Sequence, residues 1–163
     1  LSLHDALPID GLNFGEAASQ DVRGAVQYLK AAKLGSGKVG VTGFCMGGAL
    51  TVLASTMVPE ADAGVVWYGY PPLEYVDASK IGMPLMAHWA TQDGAFAITG
   101  VDALEARLKE AKVRYECHRY LAHHAFANED AQGRHRIGIT QYDAAWAQLA
   151  YDRTMRFFGL ELG

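Results

Sequence analysis

The feature that most constrains this chain is the run Gly43-Phe44-Cys45-Met46-Gly47-Gly48. It follows a Val-rich stretch, Lys38 to Gly43 (KVGVTG), that reads as a short buried strand, and it opens an apolar stretch, about Met46 to Thr56, that reads as a helix. A chain that passes from strand to helix through Gly-x-Cys-x-Gly must turn sharply. The central residue is then strained and its side chain is lifted above the sheet edge, while the glycines let strand and helix approach closely. The Cys45 sulfur would sit at a helix N-terminus, whose positive end favours a thiolate. The Met46 N–H would point where an oxyanion forms. A buried structural cysteine beside a Gly-rich turn is the plainer alternative for the same residues.

The rest of the chain fits such a turn. Glu16 to Leu34 reads as an amphipathic helix, with Ala18, Val22, Ala25, Val26 and Leu29 at helical spacing, ended by Gly35-Ser36-Gly37. Gly64 to Tyr68 and Pro84 to Ala90 read as buried strands, and Arg114 to Leu121 as a fourth. Gly69 to Met83 is an irregular loop carrying Pro71, Pro72 and Gly82. Val101, Leu104, Leu108 and Ala111 mark a third helix, and Tyr142, Ala145, Trp146 and Leu149 begin a last one reaching about Phe158. Alternating strands and helices predict the α/β class, a mostly parallel sheet with helices on both faces. Sites in such folds lie at the carboxyl edge of the sheet.

Composition narrows the function. With 163 residues, half of them hydrophobic, the chain is read as one domain with ample apolar surface to bury. A net charge of −4 leaves no basic footprint for nucleic acid or an anionic membrane, and no apolar run is long enough to span a bilayer. Two cysteines are too few for a disulfide framework, which points to a reducing, cytoplasmic setting. His88 and His118 lie within strands without a partner at metal-ligand spacing, so no metal and no cofactor are expected. Cys117 reads as a small core residue.

A nucleophile needs a base, and the base an orienting group. Asp93, in Thr91-Gln92-Asp93-Gly94, follows the third strand, and His124, in His123-His124-Ala125-Phe126, follows the fourth. Each has a plainer reading, an N-cap and a solvated loop histidine. Together they give the order nucleophile, acid, histidine at the same sheet edge as Cys45. Gly-x-Cys-x-Gly also occurs in glutamine amidotransferases, but those pair Cys with His-x-Glu, and here Ala125-Phe126 follow His124.

GFCMGG, the Asp93 segment and YLAHHAFAN resemble the dienelactone hydrolase family, a cysteine-nucleophile branch of the α/β-hydrolases, from about Glu16 to Phe158. The resemblance implies Cys45 as nucleophile, Asp93 as triad acid and His124 as triad histidine, with Met46 in the oxyanion hole. His124 is preferred to His123 because the family pattern is His, a small residue, then an aromatic. It implies hydrolysis of an ester or lactone of dienelactone type, a small molecule, through a thioester. The alternatives are a carboxylesterase of other acyl specificity, or a non-catalytic or redox-sensing domain. The elbow strand is normally the fifth of eight in the family, so the chain corresponds to the C-terminal part of the fold. Family members that bind a substrate carboxylate commonly carry arginine four residues after the histidine, where this chain has Asn128, and Thr91 replaces the usual glycine of the acid loop.

Asn128, Tyr70 and Arg134 are taken as substrate-facing candidates. Tyr70 and Tyr68 border an aromatic loop in which Trp67 alternates toward the core. Arg134 heads a basic cluster with His135 and Arg136 that otherwise reads as a solvated loop face. The first nine residues, LSLHDALPI, correspond codon for codon to the end of a common sequencing adapter. They are expected to be a translated artefact, with residues 10–163 the natural partial domain.

Overall fold

The computed structural model describes residues 13–32 and 35–163. The expected artefact at residues 1–9 and the last two residues of the first expected helix lie outside them. The first helix, α1, runs as Phe14–Glu16, a π-helical stretch Ala17–Val22, and Arg23–Ala31. After it come β1 (Gly40–Phe44), α2 (Met46–Met57), β2 (Ala63–Trp67), β3 (Leu85–Ala90), α3 (Ile98–Glu110), β4 (Tyr115–Tyr120) and α4 (Ala144–Leu162). The loop at 69–83 holds two 3-10 turns, Leu73–Tyr75 and Ala78–Lys80.

Among the described residues the four strands are parallel, in the order β1-β2-β3-β4. The register brings Phe44 beside Trp67, Trp67 beside His88, and Ala90 beside Tyr120. The strand ends therefore line up at one edge. Every residue of β2 and β3 is buried, whereas β1 and β4 are edge strands with exposed positions.

Side chains alternate between two layers, as strand geometry requires. On one face Val66, Leu85, Ala87 and Trp89 pack against Val26 of α1, Val52 of α2, and Val101, Leu104 and Leu108 of α3. On the other, Val65, Trp67, Met86 and Tyr120 meet Ala147, Ala150 and Phe157 of α4. Helices thus cover both faces, and the fold is of the α/β class. His88 is fully buried on the second face. Its ring nitrogens meet the Tyr120 hydroxyl at 2.9 Å and Thr154 Oγ1 at 2.8 Å, tying β3 to β4 and α4.

The element boundaries shift for local reasons. Residues 38 and 39 precede β1 because the Val39 N–H donates to the Asp62 carboxylate at 2.7 Å, while Val39 O accepts from the Asp62 N–H at 2.9 Å. The last helix runs past Phe158 to Leu162, and its end packs closely over Gly40. A β-carbon there would lie 2.6 Å from the Phe158 ring and 3.0 Å from Leu162.

Candidate active site

Cys45 follows β1 and caps α2 with φ 56° and ψ −117°. A left-handed φ at a non-glycine residue costs about 1–3 kcal/mol and persists only where the surroundings hold it. Here the Cys45 N–H donates to Trp67 O at 2.9 Å. Close packing does the rest. A β-carbon on Gly43 would fall 2.1 Å from Gly47 O, one on Gly48 2.6 Å from Trp67 O, and one on Gly69 1.9 Å from Cys45 O. As the first residue of α2, Met46 has an N–H with no acceptor inside the helix.

The loops after β3 and β4 bring in the other two groups. His124 Nε2 lies 3.1 Å from Cys45 Sγ, and His124 Nδ1 lies 2.9 Å from Asp93 Oδ2. Asp93 is oriented by its other oxygen, Oδ1, which accepts from the Ala95 N–H at 2.7 Å and the Phe96 N–H at 2.8 Å. His124 is held by its backbone: the Gln141 N–H donates to His124 O at 3.0 Å, and the next residue, Ala125, has φ 58°. Tyr68 stands edge-on to the imidazole at 5.2 Å between centroids, and the Phe96 ring lies at 5.6 Å. The His124 and Asp93 side chains are 4% and 2% exposed. Burial by itself pushes the His124 pKa down. The Asp93 carboxylate and the Cys45 sulfur outweigh it and raise the pKa to about 9, which favours an imidazolium beside the sulfur.

Two depressions flank the sulfur. One, of about 370 Å³, is lined by Cys45 with Phe14, Met46, Tyr70, Tyr75, Phe96 and their apolar neighbours. The other, of about 290 Å³, is lined by Cys45 with Phe44, Tyr68, Asn128 and Tyr151 among others. Cys45, Asp93 and His124 are therefore brought together, with Met46 and Tyr70 on one side and Asn128 on the other. The Tyr70 hydroxyl donates to Ala97 O at 3.0 Å. Arg134 is exposed in the turn Gly133–His135 and lines neither depression. His123 turns to Gln92 O at 3.2 Å, away from the sulfur. Trp67 is 1% exposed, its indole N–H donating to Thr42 Oγ1 at 3.2 Å, so it packs the core. Cys117 is partly buried against the α3 side of the sheet. Among the described residues no cluster of His, Cys, Asp or Glu is placed to hold a metal ion, and no helix is long and apolar enough to cross a membrane.

Phe14, Phe96 and Tyr151 escape a reading of the sequence. Only Phe96 carries a local signal: it lies three residues after Asp93, within the Asx-type turn that fixes the carboxylate.

Residues 10–162 match the Dienelactone hydrolase family. The chain belongs to that family. Protein usf from Aquifex pyrophilus is 32% identical over 139 residues, 83% of this chain and 57% of that protein. Carboxymethylenebutenolidase 1 from Cupriavidus pinatubonensis is 28% identical over 148 residues, 89% of this chain and 58% of that protein. The chain thus spans rather more than half the length of these relatives. Among solved structures, a dienelactone hydrolase-like promiscuous phosphotriesterase from metagenomic libraries superposes with a TM-score of 0.78 at 21% identity, covering 92% of this chain and 62% of that one. Thermogutta terrifontis esterase 2 superposes with a TM-score of 0.68 at 16% identity, covering 91% and 65%. Both likenesses are of the fold.

Proposed function

We propose that this member of the dienelactone hydrolase family is a hydrolase of carboxylic esters or lactones of small molecules, with Cys45 as nucleophile, His124 as general base and acid, and Asp93 as the group that orients it. The observation that carries the reading is the hydrogen-bonded line from sulfur to imidazole to carboxylate, 3.1 Å and 2.9 Å long, anchored on a strained Cys45. Relatives named carboxymethylenebutenolidase support it.

In this mechanism His124 Nε2 takes the thiol proton, and the thiolate attacks the substrate carbonyl carbon, forming the C–S bond. The carbonyl oxygen becomes an oxyanion facing the Met46 N–H. Collapse breaks the C–O bond. The departing alkoxide or enolate takes the proton from His124, which leaves the imidazole neutral. Water then attacks the thioester while giving a proton to the imidazole, and the thiolate departs to release the acid. Thiolate is a better leaving group than an amine, so amide adducts revert and esters or lactones go forward. Two cysteines, neither of them in a disulfide, are in keeping with a reducing compartment such as the cytoplasm.

The test is hydrolysis of activated aryl esters, with mass spectrometry of the acylated protein. Cys45→Ala and His124→Ala are expected to lower turnover by about 10³-fold or more, with the acyl adduct lost in the first. Unchanged rates in either variant would falsify the assignment.

A further inference from the structure

We propose that Phe96 is a positioning residue for the reaction described above: its ring holds the plane and the charge of His124, while its backbone holds Asp93. The inference rests on that catalytic reading. In the turn Asp93-Gly94-Ala95-Phe96 the carboxylate accepts the Phe96 N–H at 2.8 Å and the Ala95 N–H at 2.7 Å. The Phe96 ring meets the imidazole at 5.6 Å between centroids, and the two planes differ by 31°, nearer stacked than edge-on. One residue therefore touches both members of the His124–Asp93 pair, whose Nδ1 and Oδ2 are 2.9 Å apart.

The ring is itself held. Tyr70 meets Phe96 at 5.3 Å and 66°, and Trp89 of β3 meets Tyr70 at 6.3 Å and 74°. Trp89 is buried in the core, its indole N–H donating to the Tyr115 hydroxyl at 2.8 Å. The Tyr70 hydroxyl lies over Gly100, where a β-carbon would come within 2.1 Å of it. Gly94 sets the same turn against Ile139, whose Cγ2 would be 3.2 Å from a β-carbon. A line of aromatic rings thus runs from the buried sheet to the imidazole.

What the ring supplies is more than bulk. A saturated side chain of the same size would only strip water from His124, and lost water favours the neutral imidazole. An aromatic face carries negative charge density and attracts a cation within about 6 Å of its centroid. The titratable groups facing His124 are Asp93 from the acid loop, Cys45 from the elbow and Tyr68 just past β2, whose phenol burial keeps protonated. Phe96 acts with Asp93 and the sulfur, against burial, to favour the charged ring. In the proposed cycle the imidazolium lasts from loss of the thiol proton until the alkoxide leaves, so this is the state the ring stabilises.

The test grades the ring face while nearly keeping its shape. Phe96 of the whole chain is replaced, by stop-codon suppression, with mono-, tri- and pentafluorophenylalanine, each added fluorine withdrawing electron density from the face. The His124 ring signal, assigned by its loss in His124→Gln, is titrated by NMR. Its midpoint is expected to fall step by step along the series, by about half a pH unit or more at the end, which is about threefold in proton affinity. Phe96→Leu, which keeps the backbone N–H on Asp93, should lower it similarly. A ring that only fills space would leave the midpoint unmoved by fluorine, and that result would overturn the proposal. The two readings separate. A fluorine-graded midpoint in a chain that never acylates Cys45 upholds the positioning role and sinks the catalytic assignment alone. A chain that acylates Cys45 while its midpoint ignores fluorine sinks the positioning role alone.

Discussion

Two histidines in this chain meet opposite environments, and their protons follow. His88 is buried between Tyr120 and Thr154; burial first, then the neighbouring His118 and Arg153, push its pKa from 6.5 down to about 3. It is neutral in the folded protein, while in the unfolded chain it protonates near its ordinary value. His88 therefore leaves stability untouched above pH 6.5 and erodes it progressively as the pH falls from there toward 3. His124 is raised to about 9, so its contribution is complete below pH 6.5 and is lost as the pH rises through about 9. Thermal melts across this range are expected to show Tm falling on both sides. His88→Gln should flatten the acid limb and His124→Gln the alkaline one. Limbs unchanged by these substitutions would show that other groups govern the pH dependence.

At the scale of the element, the elbow joining β1 to α2 works only because its neighbours lack side chains. Gly69 belongs to the loop after β2, yet it touches the Cys45 carbonyl so closely that a β-carbon would lie 1.9 Å from it. That carbonyl cannot retreat easily, since the Cys45 N–H is bonded to Trp67 O and Cys45 O itself accepts from the Ala49 N–H at 3.2 Å. Gly69→Ala is expected to cost about 3 kcal/mol or more and to displace the sulfur from His124. Gly24, in α1, has nothing within 4 Å of where its β-carbon would be. Gly24→Ala should instead stabilise by about 0.5–1 kcal/mol, because alanine loses less entropy in a helix. Urea unfolding of the two variants checks the pair; similar effects would mean that close approach is not what the elbow glycines provide.

Over the whole molecule, the sheet is protected unequally. β2 and β3 are enclosed, but among the described residues β1 has a partner on one side only, with Thr42 exposed and Phe44 39% exposed. On α1, Tyr28 and Leu29 are 75% and 45% exposed. An open edge strand presents unpaired N–H and C=O groups to any other chain, and exposed apolar side chains strengthen such pairing. The 163-residue chain is therefore expected to self-associate as its concentration rises. Sedimentation velocity over a wide concentration range would show this as a growing fraction of larger species. A single monomeric boundary throughout would contradict it.

The strands and the chain order of the three candidate residues could be read from the sequence, because both are local properties. The Val-rich runs of β1 and β2, bounded by glycine, fit short strands, and Gly-Phe-Cys-Met-Gly-Gly between a strand and a helix fits a sharp turn. The loop positions of Asp93 and His124 followed from their place after β3 and β4. What the sequence could not supply is what depends on separate elements meeting in space. The 3.1 Å approach of His124 to Cys45 joins residues 79 apart in the chain. The cleft walls come from α1, the loop after β2, the acid loop and α4, so Phe14, Phe96 and Tyr151 form no pattern along the chain. The contrast between His88 and His124 is of the same kind. Each imidazole takes its proton affinity from burial and from partners on other strands and helices, and only the folded chain puts those partners beside it.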